Sequence, residues 1–418
     1  MSVTLRAVAG PLGPAFDLLA TYGGPTDFFF ERAGIGVSAG GVAARVSASL
    51  DELADATAEA LAAVEPHPEG PASPVAVGVL PFDPRVVGSL VIPRRATGRN
   101  AWGAWELDVS GGREPAPMTE AGSSPVPSTT RWAGHPVPRE AFGALQLLER
   151  PPASEYAGLV ETARTRIRAG ALDKVVLART LEVNAGRTLD PRQLLWRLRA
   201  VEPDGFSFAA PTSTGALVGA SPELLAQVTG RSVTVNPLAG SAPRHGDPAT
   251  DRAEGERLFH SDKDRHEHDV VVRAVAAALA PLCDQLEHPD EPVLHATANV
   301  WHLATPFEGT LREEVQSVLT VVAALHPTPA VGGDPAAAAL ATIRELEPFD
   351  RGSYAGPVGW VDATGDGVWA IALRCAELTG ERARLFAGAG IVAESDPASE
   401  VEETDRKFRA FLDSLRWG

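Results

Sequence analysis

The run from Gly356 to Ala389 limits the fold more than any other stretch of the chain. Gly356–Ala363, Val368–Leu378 and Arg382–Ala389 are strand-like runs joined by Thr-Gly-Asp-Gly and Thr-Gly-Glu turns. Links this short connect antiparallel neighbours, because a parallel crossover needs roughly a dozen residues or more. The stretch therefore reads as a β-meander. The signature recurs upstream, where Phe206–Ala210 and Ala216–Ala220 flank Thr-Ser-Thr-Gly as a hairpin. Helices are interspersed without regular βαβ alternation. The pattern predicts an α+β fold with large antiparallel sheets, not a doubly wound one.

Local signals fill in the rest. Ser49 and Glu52 form a capping-box pattern ahead of Leu50, Leu53, Leu61 and Val64, which predicts a helix. Val75, Val77 and Val79 alternate up to Pro81 as a strand. Residues 111–139 are rich in Pro, Gly and Ser and read as a long surface loop. Tyr156, Leu159, Val160, Ala163 and Ile167 follow helical spacing, with Gly170 as the stop. Lys174 to Val183 reads as a strand with Lys174, Val176, Ala178 and Thr180 on one face. Asp190 and Pro191 open one helix, and Asp334-Pro335 starts another that Pro348 stops. A last helix is expected from Ser399, boxed with Glu402, to about Leu415.

Composition removes several functional classes. With 37 Lys+Arg against 54 Asp+Glu in 418 residues, the net charge is −17, which repels nucleic-acid backbones and anionic membranes. Cys283 and Cys375 are too few for a disulfide framework, and no C-x-x-C pair offers a zinc site. Residues 1–20 lack a signal-peptide pattern, and apolar stretches such as 270–282 are cut by Arg273 and too short to span a bilayer. The expectation is a cytoplasmic protein with a small-molecule partner, without nucleic-acid or membrane partners. With no coiled-coil seam, it is expected to be a monomer.

The candidate chemistry is carried by charged residues in unusual places. Gly388-Ala-Gly390-Ile-Val-Ala393 matches a dinucleotide fingerprint, but Glu394-Ser-Asp-Pro397 follows in place of a helix, so that reading fails. Asp264 and Glu267 are i, i+3, and Glu400 and Glu403 repeat the spacing. Both pairs fit helix first turns, where the dipole favours acids. They also fit convergence on a hard cation such as Mg²⁺. His260, His266 and His268 scatter around a helix and do not fit zinc. Lys174 inside an apolar strand is either an edge lysine or a buried base. Glu223 after a strand is either a turn carboxylate or an acid. Arg374 interrupts an apolar strand and needs an anionic partner. Spacing alone does not join these residues into one site.

Nine stretches do join them. DKVVLAR (173–179), GASPELL (219–225), NPLAGSAPR (236–244), SDKDRHEH (261–268), WHLATPFEGTL (301–311), HPTPAVGG (326–333), EPFDRGSYAGPVGW (347–360), IALRCAEL (371–378) and FAGAGIVAESDPASEVEET (386–404) run in order along the chain. Together they resemble the chorismate-utilising enzymes, most closely the isochorismate synthase branch. The resemblance covers about 150–415 and is loose over 1–110. It implies one domain across 1–418, an α/β/α sandwich of two antiparallel sheets flanked by helices. It implies an isomerase that adds water at C2 of chorismate with loss of the C4 hydroxyl. Lys174 is then the base on water and Glu223 the acid on the departing hydroxyl. Glu267 and Glu403 correspond to Mg²⁺ ligands, with Asp264 and Glu400 in a water-mediated shell, and the metal holds the ring carboxylate. Arg374 and Tyr354 correspond to the clamp on the enolpyruvyl carboxylate, helped by backbone at Gly388 and Gly390. Gly240, Ser241 and His302 line the ring site.

The same resemblance separates branches. Aminodeoxychorismate synthases carry a nucleophilic lysine where this chain has Ala239, and anthranilate synthases generally lack the lysine matching Lys174. Salicylate synthases keep that lysine but tend to have Thr at the position of Ala330 and Pro-Lys where Asp334-Pro335 stands. The alternatives are therefore a salicylate synthase and an inactive chorismate-binding paralogue. Ser241, where Thr is common, and Tyr354, where Phe also occurs, are the departures to follow. The pathway that would use the product, menaquinone or siderophore biosynthesis, is not legible.

Overall fold

The computed structural model describes residues 5–12, 16–65, 73–100, 103–110 and 143–416; the expected loop at 111–139 lies outside the described residues. Two large sheets dominate. The larger, of 13 strands, starts at Gln146–Arg150 and runs through Lys174–Asn184, Arg382–Ile391, Cys375–Thr379, Ala216–Ser221 and Phe206–Pro211 into Phe28–Arg32 and the strands beyond it. The second, of nine, carries Leu224–Thr229, Gly367–Ile371, Pro357–Asp362 and Val75–Val79 in adjacent places. A small sheet of three strands orders Leu238–Pro243, Val300–Ala304 and Val293–Ala296. Pairing around the site is antiparallel, as the turn chemistry predicts. Strands from the first third join both large sheets: Phe28–Arg32 pairs with Phe206–Pro211, and Val75–Val79 with Pro357–Asp362.

Alternation along the strands builds two cores. Phe28 and Phe30 face a core shared with Val75 and Val77 of the second sheet and with the helices Leu53–Ala62, Val318–Leu325 and Ala336–Leu346. Phe29 faces the other way, against Leu194 and Leu198 of the helix Pro191–Val201 and Phe408 and Phe411 of the helix Pro397–Arg416. The larger sheet is thus buried on both faces there, which is why its strands read as continuous apolar runs rather than clean alternation. No helix among the described residues is long and apolar enough to cross a membrane.

Most local expectations are realised. The helix Ala153–Arg168 buries Tyr156, Val160, Ala163 and Ile167, and Gly170 follows at φ +75°. Asp190 caps Pro191–Val201 through the Arg192 amide at 2.9 Å. Three readings need correction. The run Val368–Leu378 is not one strand: Gly367–Ile371 lies in the second sheet and Cys375–Thr379 in the larger one. The break is at Arg374, whose φ of +48° is left-handed and ends any ladder. The last helix starts at Pro397 because Asp396, not Ser399, is the cap; its carboxylate accepts from the Ser399 amide at 2.9 Å and hydroxyl at 3.0 Å. The Ser49 hydroxyl does meet Glu52, at 2.7 Å, but in the turn before the helix, which begins at Leu53.

One buried ion pair braces the strand that carries Lys174. Arg351 and Glu347 are 4 % and 7 % exposed and bind each other. Glu347 accepts from the Ala178 amide at 2.8 Å, and Arg351 donates to the carbonyls of Val176 and Val331, each at 2.8 Å. The pair therefore continues the strand's hydrogen bonding where Gly333–Asp334 stops pairing with it.

Candidate active site

The cleft forms where the chain crosses between sheets. Pro222 and Glu223 link Ala216–Ser221 of the larger sheet to Leu224–Thr229 of the second. Ala372 to Arg374 make the return crossing. The two crossings hold each other: the Ile371 amide donates to Glu223 O at 3.2 Å, and the Ala220 amide to Arg374 O at 3.3 Å. This backbone contact is what places an acid and a cation from sites 151 positions apart at one mouth. Pro237 makes a third crossing, from Ser232–Asn236 into the small sheet. The resulting cleft spans about 700 Å³, part of it open to solvent.

Glu223, Arg374, His302, Gly240 and Ser241 line this cleft. Tyr354, Ala330, Gly388 and Gly390 line it too, as do Glu267 and Glu403. Lys174 stands immediately behind: a Cβ placed on Gly390 would lie 3.1 Å from Lys174 Cε and 2.0 Å from Glu267 Oε1. Only glycine there leaves room for the glutamate and the lysine to meet. Lys174 is fully buried, with its Nζ 3.1 Å from Glu267 Oε1 and no aligned hydrogen bond among the described residues. A buried Nζ without an aligned hydrogen bond is costly in a purely structural role. Asp264 and Glu400 lie outside the lining, on the helices Asp262–Leu279 and Pro397–Arg416, beside Glu267 and Glu403.

The electrostatics separate the carboxylates. Glu223 is 3 % exposed, and burial pushes its carboxyl up to about 8 against the Leu238 amide, Lys174 and Lys407. It is therefore protonated near neutrality. Burial also raises Glu403, but Lys407, Lys263 and the Ser241 hydroxyl outweigh it and hold the carboxyl down to about 2. Burial and the neighbouring Glu403 push Glu400 up to about 7 against Lys263. Burial raises Asp264, and Glu267 and Glu403 add to the effect. Four acids this close repel one another. Lys263 on Glu400 at 2.6 Å and Lys407 on Glu403 at 2.6 Å offset two of them, and Lys174 Nζ lies 3.1 Å from Glu267.

Other parts of the lining are cationic and aromatic. Burial and Arg374 push His302 down to about 3, so its ring is neutral. Its Nδ1 donates to Gly240 O at 3.1 Å, leaving Nε2 to accept from Arg374 at 3.3 Å. Arg374 keeps its remaining donors for the cleft. Its left-handed backbone is the kind of strain that the surroundings must over-determine. Tyr354 stacks on Phe386, with centroids 4.8 Å apart, and its hydroxyl would lie 3.2 Å from a Cβ on Gly388.

Two lysines at the site escaped the sequence reading. Lys407 lines the cleft, donates to Gly388 O at 2.9 Å and binds Glu403 one helical turn back. Lys263 lies between Asp262 and Asp264, where it looked like one charge in a solvated run. The i, i+4 spacing of Glu403 and Lys407 was the available signal.

The donor set suits a hard cation: carboxylate oxygens, without cysteine, beside a strand bared at Gly390. Among the described residues, no group of three metal-ligating side chains stands at metal-holding distances, and a lysine lies against each of three of the four acids.

Comparison with known proteins agrees with this architecture. The putative isochorismate synthase MenF of Mycobacterium tuberculosis is 45 % identical over 324 residues, spanning 75 % of this chain and 85 % of the relative. The isochorismate synthase EntC of Escherichia coli is 39 % identical over 345 residues, 82 % of each chain. The crystal structure of a putative 2,3-dihydroxybenzoate-specific isochorismate synthase, DhbC from Bacillus anthracis, superposes with a TM-score of 0.81 at 34 % identity, covering 96 % of this chain and 99 % of that one. The family model for chorismate binding enzymes matches residues 130–416, more than half of the sequence and all of the cleft. The chain belongs to the chorismate-binding enzyme family.

Proposed function

We propose that the protein is an isochorismate synthase, which converts chorismate to isochorismate by adding water at C2 and releasing the C4 hydroxyl. The observation that carries this reading is the pairing of a buried Glu223 in the cleft lining with a fully buried Lys174 immediately behind Gly390 of the same lining. Isomerisation by addition and displacement needs one group to take a proton and another to give one. In this reading Lys174, as the neutral amine, takes a proton from water as the water oxygen bonds to C2. The two ring double bonds each shift by one position, the C4–O bond breaks, and Glu223 protonates the departing hydroxyl. Arg374, held on the neutral His302, pairs with the carboxylate of the enolpyruvyl side chain, and Tyr354 supports it. The ring carboxylate lies toward Glu267 and Glu403, which with Asp264 and Glu400 would hold Mg²⁺. The ion would supply the positive charge that lets a dianion enter an acidic cleft. Gly240 and Ser241 line the ring site.

The relatives named as isochorismate synthases support the assignment, and they include a menaquinone-specific enzyme of Escherichia coli and a vibriobactin-specific one of Vibrio cholerae. Turnover in ¹⁸O-labelled water tests it: one labelled oxygen is expected in the isochorismate formed. Product without label would mean migration of the hydroxyl within the substrate and would remove the role of Lys174.

A further inference from the structure

Glu202 makes an interaction that the chemistry above leaves unused. It ends the helix Pro191–Val201, is 9 % exposed, and its Oε2 accepts from the Ala298 amide at 3.2 Å. Ala298 sits in the turn between Val293–Ala296 and Val300–Ala304 of the small sheet. Within that sheet the turn is fixed by Thr297, whose hydroxyl and carbonyl bind Val300 O at 2.9 Å and Arg244 at 2.8 Å. Glu202 ties the same turn to the body of the protein. Four residues on, His302 reaches Arg374 at 3.3 Å. The helix end and the arginine are also neighbours through the larger sheet, since Phe206 pairs with Ser221 and the Ala220 amide binds Arg374 O at 3.3 Å. Among the acids that favour the charge on Arg374 against its burial, Glu202 comes first.

We propose that Glu202 is a positioning residue for Arg374: through the Ala298 amide it holds the turn that delivers His302, so that the guanidinium keeps one edge on His302 and its other donors open to a substrate carboxylate. This rests on the reading of Arg374 as a carboxylate clamp. The role belongs to the hydrogen bond rather than to the charge, which gives a distinctive pattern. Gln at this position still accepts from Ala298; Asp keeps the charge but is too short to reach.

The test is steady-state kinetics of the full chain on chorismate with Mg²⁺, for the parent, E202Q, E202D, R374A and R374A/E202D, with melting curves for each. E202D is expected to raise KM about tenfold with kcat within about twofold, the cost of losing one buried hydrogen bond in a binding role. E202Q is expected to keep KM within about threefold. In the R374A background E202D is expected to change kcat/KM by less than about twofold, because both changes remove one function. A parent-like KM for E202D, an elevated KM for E202Q alone, or effects of E202D and R374A that multiply would overturn the role of Glu202. A parent without turnover would overturn the functional reading and this role with it.

Discussion

Glu223→Gln should abolish turnover and at the same time make the protein more stable at alkaline pH. The native carboxyl is pushed up to about 8 from an ordinary 4.5, by burial first. Between those two pH values the unfolded chain carries an ionised glutamate and the native chain a protonated one. The unfolded state then binds fewer protons, so native stability falls as pH rises. At about 1.4 kcal/mol per pH unit the loss reaches roughly 3 kcal/mol at pH 7 and on the order of 5 kcal/mol above pH 8. At the acid end both states are protonated and the loss vanishes. Glutamine has the same shape, is neutral at every pH, and its carbonyl oxygen can still accept from the Leu238 amide. Urea titrations of parent and variant at pH 5 and pH 9 measure the difference. The variant should match the parent within about 1 kcal/mol at pH 5 and exceed it by several kcal/mol at pH 9. Its turnover should fall by about a hundredfold or more, the usual size of a lost acid. Parent turnover should itself decline as pH rises through about 8, where the proton is lost. Equal stabilities at pH 9, or turnover within tenfold of the parent, would refute the reasoning.

Other outcomes follow from the same geometry. Lys174→Ala should lower turnover by about a hundredfold or more in a chorismate assay, and near-parent activity would remove it as the base. EDTA should stop the reaction and added Mg²⁺ restore it, followed by product chromatography; an unaffected rate would exclude the metal role of Glu267 and Glu403. Arg351→Ala leaves Glu347 buried without its partner, so urea titration at pH 7 should show a loss of about 3–5 kcal/mol. A loss under 1 kcal/mol would mean that the pair does not brace the Lys174 strand.

Much of the fold was legible because turn chemistry is local. Thr-Ser-Thr-Gly between Phe206–Ala210 and Ala216–Ala220 dictates a hairpin, and the structure pairs Phe206 with Ser221 through Pro211 with Ala216. The split at Arg374 was not legible. An apolar run has the same pattern whether it stays in one sheet or changes sheets, and the positive φ at Arg374 is imposed by tertiary contacts rather than by its residue type. Caps misled for a related reason: Ser399 is a good cap, but Asp396 stands ahead of Pro397, which favours the first helical position. For the site, motifs located the acid, the lysine and the arginine, whereas spacing could not show that Glu223 and Arg374 share a backbone contact. Lys263 and Lys407, which pair with two of the four acids, were hidden because a lysine in a charged helix usually faces solvent. Only the folded arrangement shows Lys407 turned inward onto Gly388 O and Glu403.

The central claim is water addition without elimination. It is tested most directly by incubating the purified protein with chorismate and Mg²⁺, with and without ammonium, and separating the products. A mixture of isochorismate and chorismate free of pyruvate, the same in both conditions, is the predicted result. Salicylate with pyruvate, or an aminated product formed only with ammonium, would contradict it.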